Sequence, residues 1–83
     1  MRLRVEFTTE PFDLEEAPDH AVAAREVIQK AQLEAVDVGP FGNTAEGEAD
    51  RVLSAVTALL RDSLGAGATR VTLQVNVIGE ETP

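Results

Sequence analysis

The stretch VGPFGNTAEGE, residues 38–48, joins a short apolar run to a long amphipathic helix. Gly39 and Pro40 suffice for a turn, because glycine tolerates positive φ and proline presets the φ of a turn position. The residues after the turn are mostly polar, where a small protein usually places β-branched side chains. We therefore predict that residues 39–42 turn the chain and that residues 43–48 form a polar strand.

The same stretch suggests recognition of a ligand. It combines the aromatic ring of Phe41 with the hydrogen-bonding side chains of Asn43, Thr44 and Glu46. A flat ligand rich in heteroatoms would stack on such a ring and bond to such groups. The alternative is a glycine-rich hairpin with a solvated edge, and the spacing alone favours neither interpretation.

Outside this stretch, hydrophobic periodicity predicts three more strands and two helices, in the order β-α-β-β-α-β. The predicted strands cover residues 2–8, ended by Pro11, residues 33–38 and residues 70–78. The first predicted helix covers residues 20–32, with Asp19 as its N-cap. The second begins at Asp50 and is stopped by Gly65 and Gly67. The apolar stripe of the second helix is predicted to be Leu53, Val56, Leu60 and Leu64, widened by Val52 and Leu59.

This order predicts the fold class. A strand–helix–parallel strand unit crosses over right-handed, and two amphipathic helices can cover only one face of the sheet. We predict an α+β, ferredoxin-like βαββαβ sandwich, with a four-stranded antiparallel sheet and both helices on one face. Residues 1–79 would form a single domain and residues 80–83 a C-terminal tail.

No helix is predicted to pack on the second face of the sheet. The side chains expected there are Arg4, Glu6, Thr8, Thr72, Gln74, Asn76 and Ile78, joined by Thr44 and Glu46 if Ala45 points beneath the helices. A plain solvated face is the alternative, since antiparallel sheets often have one. Because the core is small, the row of Thr72, Gln74, Asn76 and Ile78 on the last strand also predicts self-association.

Composition excludes several classes of function. The chain has 15 acidic and 7 basic residues, a net charge of −8, which disfavours nucleic acids and anionic membranes as partners. It has no cysteine and one histidine, so we expect no metal and no cofactor, and a cytoplasmic location. No apolar run is as long as a membrane span, and we expect no signal peptide.

His20 is predicted to be an ordinary, partly exposed residue. Because the sequence shows no set of nucleophile and base, the chain is predicted not to be an enzyme.

Three blocks of sequence resemble one known family. They are VEFTTEP at residues 5–11, VGPFGNTAEGE at residues 38–48 and GATRVTLQVNV at residues 67–77. Together they resemble the small thiamine-binding ferredoxin-like proteins, formerly a domain of unknown function, which also bind the hydroxymethylpyrimidine half of thiamine. The resemblance implies dimers or dimers of dimers, built through sheets and edge strands, with a ligand pocket near those interfaces.

The resemblance implies binding of thiamine or its hydroxymethylpyrimidine moiety, as a carrier, buffer or sensor. An aminopyrimidine offers an amine donor and ring-nitrogen acceptors, which carboxylates, amides and hydroxyls complement. A nearby acid, Glu6, Glu46 or Glu48, would favour the thiazolium cation. The candidate ligand-binding residues are Thr8, Thr9, Phe41, Asn43, Thr44, Glu46, Gln74 and Asn76. The alternatives are an amino-acid-sensing regulatory domain and a purely structural oligomerising module.

Overall fold

The computed structural model describes residues 1–13, 15–39 and 42–79. Its elements follow the predicted order β-α-β-β-α-β. They are β1 (Arg2–Glu10), α1 (Asp19–Lys30), β2 (Glu34–Val38), β3 (Asn43–Glu48), α2 (Ala49–Gly65) and β4 (Arg70–Ile78). The predicted tail, residues 80–83, and Phe41 lie outside the described residues.

The strands form one sheet in the order β2-β3-β1-β4, and every neighbouring pair is antiparallel. β1 pairs with β4 along its whole length, from Arg2 opposite Ile78 to Glu10 opposite Arg70. This strand order and the two helices confirm the predicted ferredoxin-like α+β fold. β1 therefore lies inside the sheet, paired on both sides from Arg2 to Phe7, whereas its last residues, Thr8 to Glu10, pair with β4 alone.

Alternation along β1 separates the two faces of the sheet. Leu3, Val5 and Phe7 are buried in the core beneath the helices, and Ala45 on β3 is fully buried opposite Val5. The intervening residues therefore point to the other side, as predicted. We call this side the open face, and its residues are Arg4, Glu6 and Thr8 on β1, Thr44 and Glu46 on β3, and Thr72, Gln74, Asn76 and Ile78 on β4.

The apolar stripe of α2 differs from the prediction. The buried side chains of this helix are Val52, Ala55, Leu59 and Ser63. Leu53 and Leu64, which the predicted stripe included, are each 50% exposed, so these two assignments are wrong. The buried side of α2 is turned about the helix axis relative to the predicted stripe, because the helix packs against both the sheet and α1. Ser63 can be buried there, since its hydroxyl donates to the carbonyl of Leu59 at 2.6 Å.

The ends of the helices also depart from the prediction by one or two residues. α1 begins at Asp19, with Pro18 at its N-cap and no side-chain capping bond, so Asp19 is not the N-cap. Its carboxylate lies in the first turn, where it favours the helix macrodipole. α2 begins at Ala49 rather than Asp50. It ends at Gly65, and Gly67 beyond it has φ +111°, a conformation that favours glycine.

Candidate functional site

Two adjoining depressions lie where β1 ends and α1 begins, and both are lined by Thr8, Gly42 and Asn43. The first has a volume of about 160 Å³ and lies between the β1–α1 connection, the start of α1, and Gly39 and Gly42 between β2 and β3. We call it the loop cavity. The second has a volume of about 330 Å³ and lies on the open face. We call it the sheet hollow, and its open-face lining is Glu6, Thr8, Thr44, Thr72 and Gln74.

His20 is a buried member of the loop cavity, with only 3% of its surface exposed. Its Nδ1 lies 2.9 Å from the hydroxyl oxygen of Thr9, which is also buried. Its Nε2 is buried and has no hydrogen-bond partner among the described residues. The prediction of a partly exposed histidine is therefore wrong, because the first turn of α1 packs its inner side onto the end of β1.

Asn43, which also lines this cavity, has a second unpartnered polar atom. It begins β3 opposite Phe7, and its side-chain oxygen Oδ1 is buried without a hydrogen-bond partner in the part of the chain that the structure describes. A buried polar atom left unsatisfied costs about 1–3 kcal/mol, and folded proteins contain few of them. Two such atoms on residues that line one small cavity indicate a place where a bound molecule would supply the missing partners.

On the open face, several predicted site residues already have partners within the protein. The Nε and Nη2 atoms of Arg4 donate to Oε2 of Glu46 at 3.0 and 2.9 Å. The side-chain amide of Gln74 donates to Oδ1 of Asn76 at 2.9 Å. A ligand that bonds to Glu46 would therefore compete with Arg4 for the same carboxylate.

Glu6 is different from Glu46, although both lie on the open face. Its Cα partners across the sheet are Thr44 and Gln74, which line the sheet hollow beside it. Within residues 1–13, 15–39 and 42–79, its carboxylate forms no ion pair and no hydrogen bond. The nearby cations on β1 are engaged elsewhere, since Arg2 pairs with Glu34 and Arg4 with Glu46. Glu6 therefore gives the sheet hollow an uncompensated negative charge.

The predicted ligand-binding residues are divided between the two depressions. Thr8 and Asn43 line both, Thr9 lines the loop cavity, and Thr44 and Gln74 line the sheet hollow. Glu46 and Asn76 lie on the open face outside the lining of the hollow. Phe41 is outside the described residues. The structure thus brings five of the eight residues to the two depressions, and their contact with a ligand stays a prediction.

Sequence analysis missed the importance of His20, although a signal was present. The residue precedes Ala24 by four positions and Ile28 by eight, and both are buried on the inner side of α1. Residues four apart on a helix share one face. Extending the apolar stripe of α1 back by one turn would therefore have placed the histidine at the buried side of the helix.

The rim of the loop cavity is acidic. Its charged lining residues are Asp13, Glu15, Glu16 and Arg25, three acids against one base. Asp13 accepts hydrogen bonds from the backbone N–H groups of Glu15 and Glu16, at 2.9 and 3.3 Å, which holds this connection in place. As far as the described ranges go, no cluster of three His, Asp or Glu side chains could hold a metal ion, and neither helix is long and apolar enough to cross a membrane.

No family model and no curated protein matches this chain. Its structure is similar to the domain of unknown function DUF77 from Bacillus cereus, with a TM-score of 0.68 and 24% identity over 95% of this chain and 76% of that one. It is similar to a "putative thiamine biosynthesis/salvage protein" from Thermotoga maritima, with a TM-score of 0.66 and 25% identity over 92% of this chain and 81% of that one.

A third neighbour, a protein from Streptococcus pneumoniae, has a TM-score of 0.69 and 21% identity over 96% of this chain and 89% of its own. The names of these neighbours specify no enzymatic activity. At this level of identity the likeness concerns the fold. The chain therefore shares the ferredoxin-like fold of proteins that include a DUF77 domain and a protein connected by its name with thiamine.

Proposed function

We propose that this protein binds thiamine or its hydroxymethylpyrimidine moiety, and that it acts as a non-enzymatic, cytoplasmic carrier, buffer or sensor. The fold alone cannot carry this proposal, because the ferredoxin-like sandwich hosts many functions. The observation that carries it is the unpaired carboxylate of Glu6 in a hollow lined by hydroxyl and amide groups.

The chemistry of the sheet hollow suits a cationic heteroaromatic ligand. The thiazolium ring of thiamine carries a fixed positive charge, which Glu6 would attract without displacing an existing ion pair. The hydroxyls of Thr8, Thr44 and Thr72 can both donate and accept hydrogen bonds, so they complement mixed polar edges. The net charge of −8 adds a general attraction for cations.

The structural comparison adds independent support. The Thermotoga maritima neighbour, whose name refers to thiamine biosynthesis or salvage, covers 92% of this chain at 25% identity. The likeness therefore extends over nearly the whole of this chain. That name and the charge of the hollow point to the same class of ligand, although they rest on different observations.

Titration calorimetry of the unmodified protein tests the proposal. We expect saturable binding of thiamine and of hydroxymethylpyrimidine, and no binding of the common amino acids at the same concentration. Binding of amino acids in place of both compounds would instead support a regulatory amino-acid-sensing domain. If no compound binds at high micromolar concentration, the proposal fails and a structural oligomerising module becomes the better interpretation.

We further propose that the protein is a homodimer or a homotetramer. β4 lies at the edge of the sheet and keeps Val75 and Val77 exposed, at 36% and 69% of their surface. An exposed edge strand with apolar side chains readily pairs with another chain. Light scattering over a dilution series should therefore give two or four times the protomer mass. If the measured mass is that of a single protomer at every concentration, including the millimolar range, self-association is refuted.

A further inference from the structure

We propose that the loop cavity binds the aminopyrimidine ring of the ligand, through His20 and Asn43, while the cationic part lies over Glu6 in the sheet hollow. This inference rests on the proposed function and assigns the two halves of thiamine to two different depressions. It starts from two buried, unpartnered atoms on residues that line the cavity, Nε2 of His20 and Oδ1 of Asn43.

The partner of Nδ1 decides which nitrogen of His20 carries the hydrogen. In one neutral tautomer, the Thr9 hydroxyl donates to Nδ1 and the hydrogen is on Nε2. In the other, Nδ1–H donates to Thr9, and then the buried hydroxyl hydrogen has no acceptor within the described ranges while Nε2 is still unpartnered. The first arrangement leaves fewer unsatisfied groups, so His20 presents Nε2–H as a donor.

A ligand that satisfies both atoms must therefore have a particular pattern of hydrogen-bond donors and acceptors. The ligand must accept from Nε2–H of His20 and donate to Oδ1 of Asn43. A carboxylate or a phosphate has only acceptors and an ammonium group only donors, so each would leave one of the two atoms unsatisfied. The edge of an aminopyrimidine has both, a ring nitrogen that accepts and an adjacent exocyclic amine that donates.

Size and charge agree with this assignment. The loop cavity has a volume of about 160 Å³. A cavity of about 150 Å³ accommodates benzene, which is also a six-membered ring. The carboxylates of Asp13, Glu15 and Glu16 at the rim disfavour an anionic group, whereas a neutral ring meets no such repulsion. The shared lining residues Thr8, Gly42 and Asn43 connect the cavity to the hollow, where the thiazolium would be placed.

The test compares hydroxymethylpyrimidine with an analogue that lacks the exocyclic amine. We expect the unmodified protein to prefer the amino compound by about 2- to 12-fold, the usual effect of one neutral hydrogen bond. Asn43→Ala should remove this preference, because it removes the acceptor for the amine. Gln29→Ala, which deletes an exposed amide on α1, is the matched control and should keep the preference.

A second measurement needs no substitution. His20 is the only histidine, so the ring nitrogens give one set of signals in a ¹⁵N NMR spectrum. We expect the hydrogen on Nε2 and a shift of that nitrogen when hydroxymethylpyrimidine saturates the protein. An unchanged Nε2 signal at saturation, or an amine preference that survives in folded Asn43→Ala, would overturn the inference and leave the proposed function intact. If the unmodified protein binds neither thiamine nor hydroxymethylpyrimidine, both fail together.

Discussion

Replacing Leu59 by alanine is expected to lower the free energy of unfolding by about 2–5 kcal/mol. Leu59 is fully buried between α2 and the sheet, so the shortened side chain leaves a cavity in the core. Leu53→Ala on the same helix should change the free energy by only about 0.5 kcal/mol, since half of the Leu53 side chain is exposed. Urea denaturation followed by circular dichroism measures both values.

The pair of leucines tests the rotation of α2 about its axis. Equal costs for Leu53→Ala and Leu59→Ala would show that both side chains are buried, in the chain or between subunits. The two cases are separable, because burial between subunits makes the cost depend on protein concentration. Leu64→Ala, which is also half exposed, is a second control and should resemble Leu53→Ala.

Glu6→Gln is expected to weaken thiamine binding by up to about fivefold, since an ion pair with an exposed carboxylate contributes about 0.2–1 kcal/mol. The substitution keeps the shape of the side chain and removes the charge from the sheet hollow. Glu46→Gln should have a smaller effect, because Arg4 already compensates that carboxylate. Titration calorimetry with thiamine gives both affinities, and Glu26→Gln on the exposed side of α1 is the control for a change in net charge.

The opposite ranking would locate the cation elsewhere on the open face. If Glu46→Gln weakens binding more than Glu6→Gln, the ligand must displace Arg4 from its carboxylate. Raising the ionic strength should weaken thiamine binding to the unmodified protein and should weaken it less in Glu6→Gln, since salt screens exposed charges. Equal salt dependence in the two proteins would count against a role for Glu6.

The sheet could be predicted from the sequence because period-two alternation specifies faces directly. Leu3, Val5 and Phe7 alternate with polar residues, and the opposite side of β1 is the open face in the structure. The rotation of α2 could not be predicted with the same certainty. Its leucines and valines satisfy helical spacing on two overlapping stripes, and packing against α1 decides between Leu53 and Leu59.

The polar residue types of the candidate site could be predicted from the sequence, but the pairing and burial of its individual side chains could not. Sequence analysis identified Thr8 and Asn43, because short polar side chains at the ends of strands are conspicuous. It placed Glu46 and not Glu6 among the candidate ligand-binding residues, because the pairing of Glu46 with Arg4 follows from the register of β1 against β3, which the sequence does not show. The burial of His20 depends on how α1 approaches the end of β1, which is a tertiary property.

Thr8 and Thr9 are consecutive residues of β1, yet one lines the sheet hollow and the other contacts His20 beneath the helices. Inserting or deleting one residue within β1 would exchange the faces of all following side chains and would disrupt both depressions at once. Among natural variants of this protein, changes in chain length should therefore be absent from β1. They should occur instead in the connection over residues 11–18, where an extra residue alters the rim of the loop cavity and leaves the alternation of the strand intact.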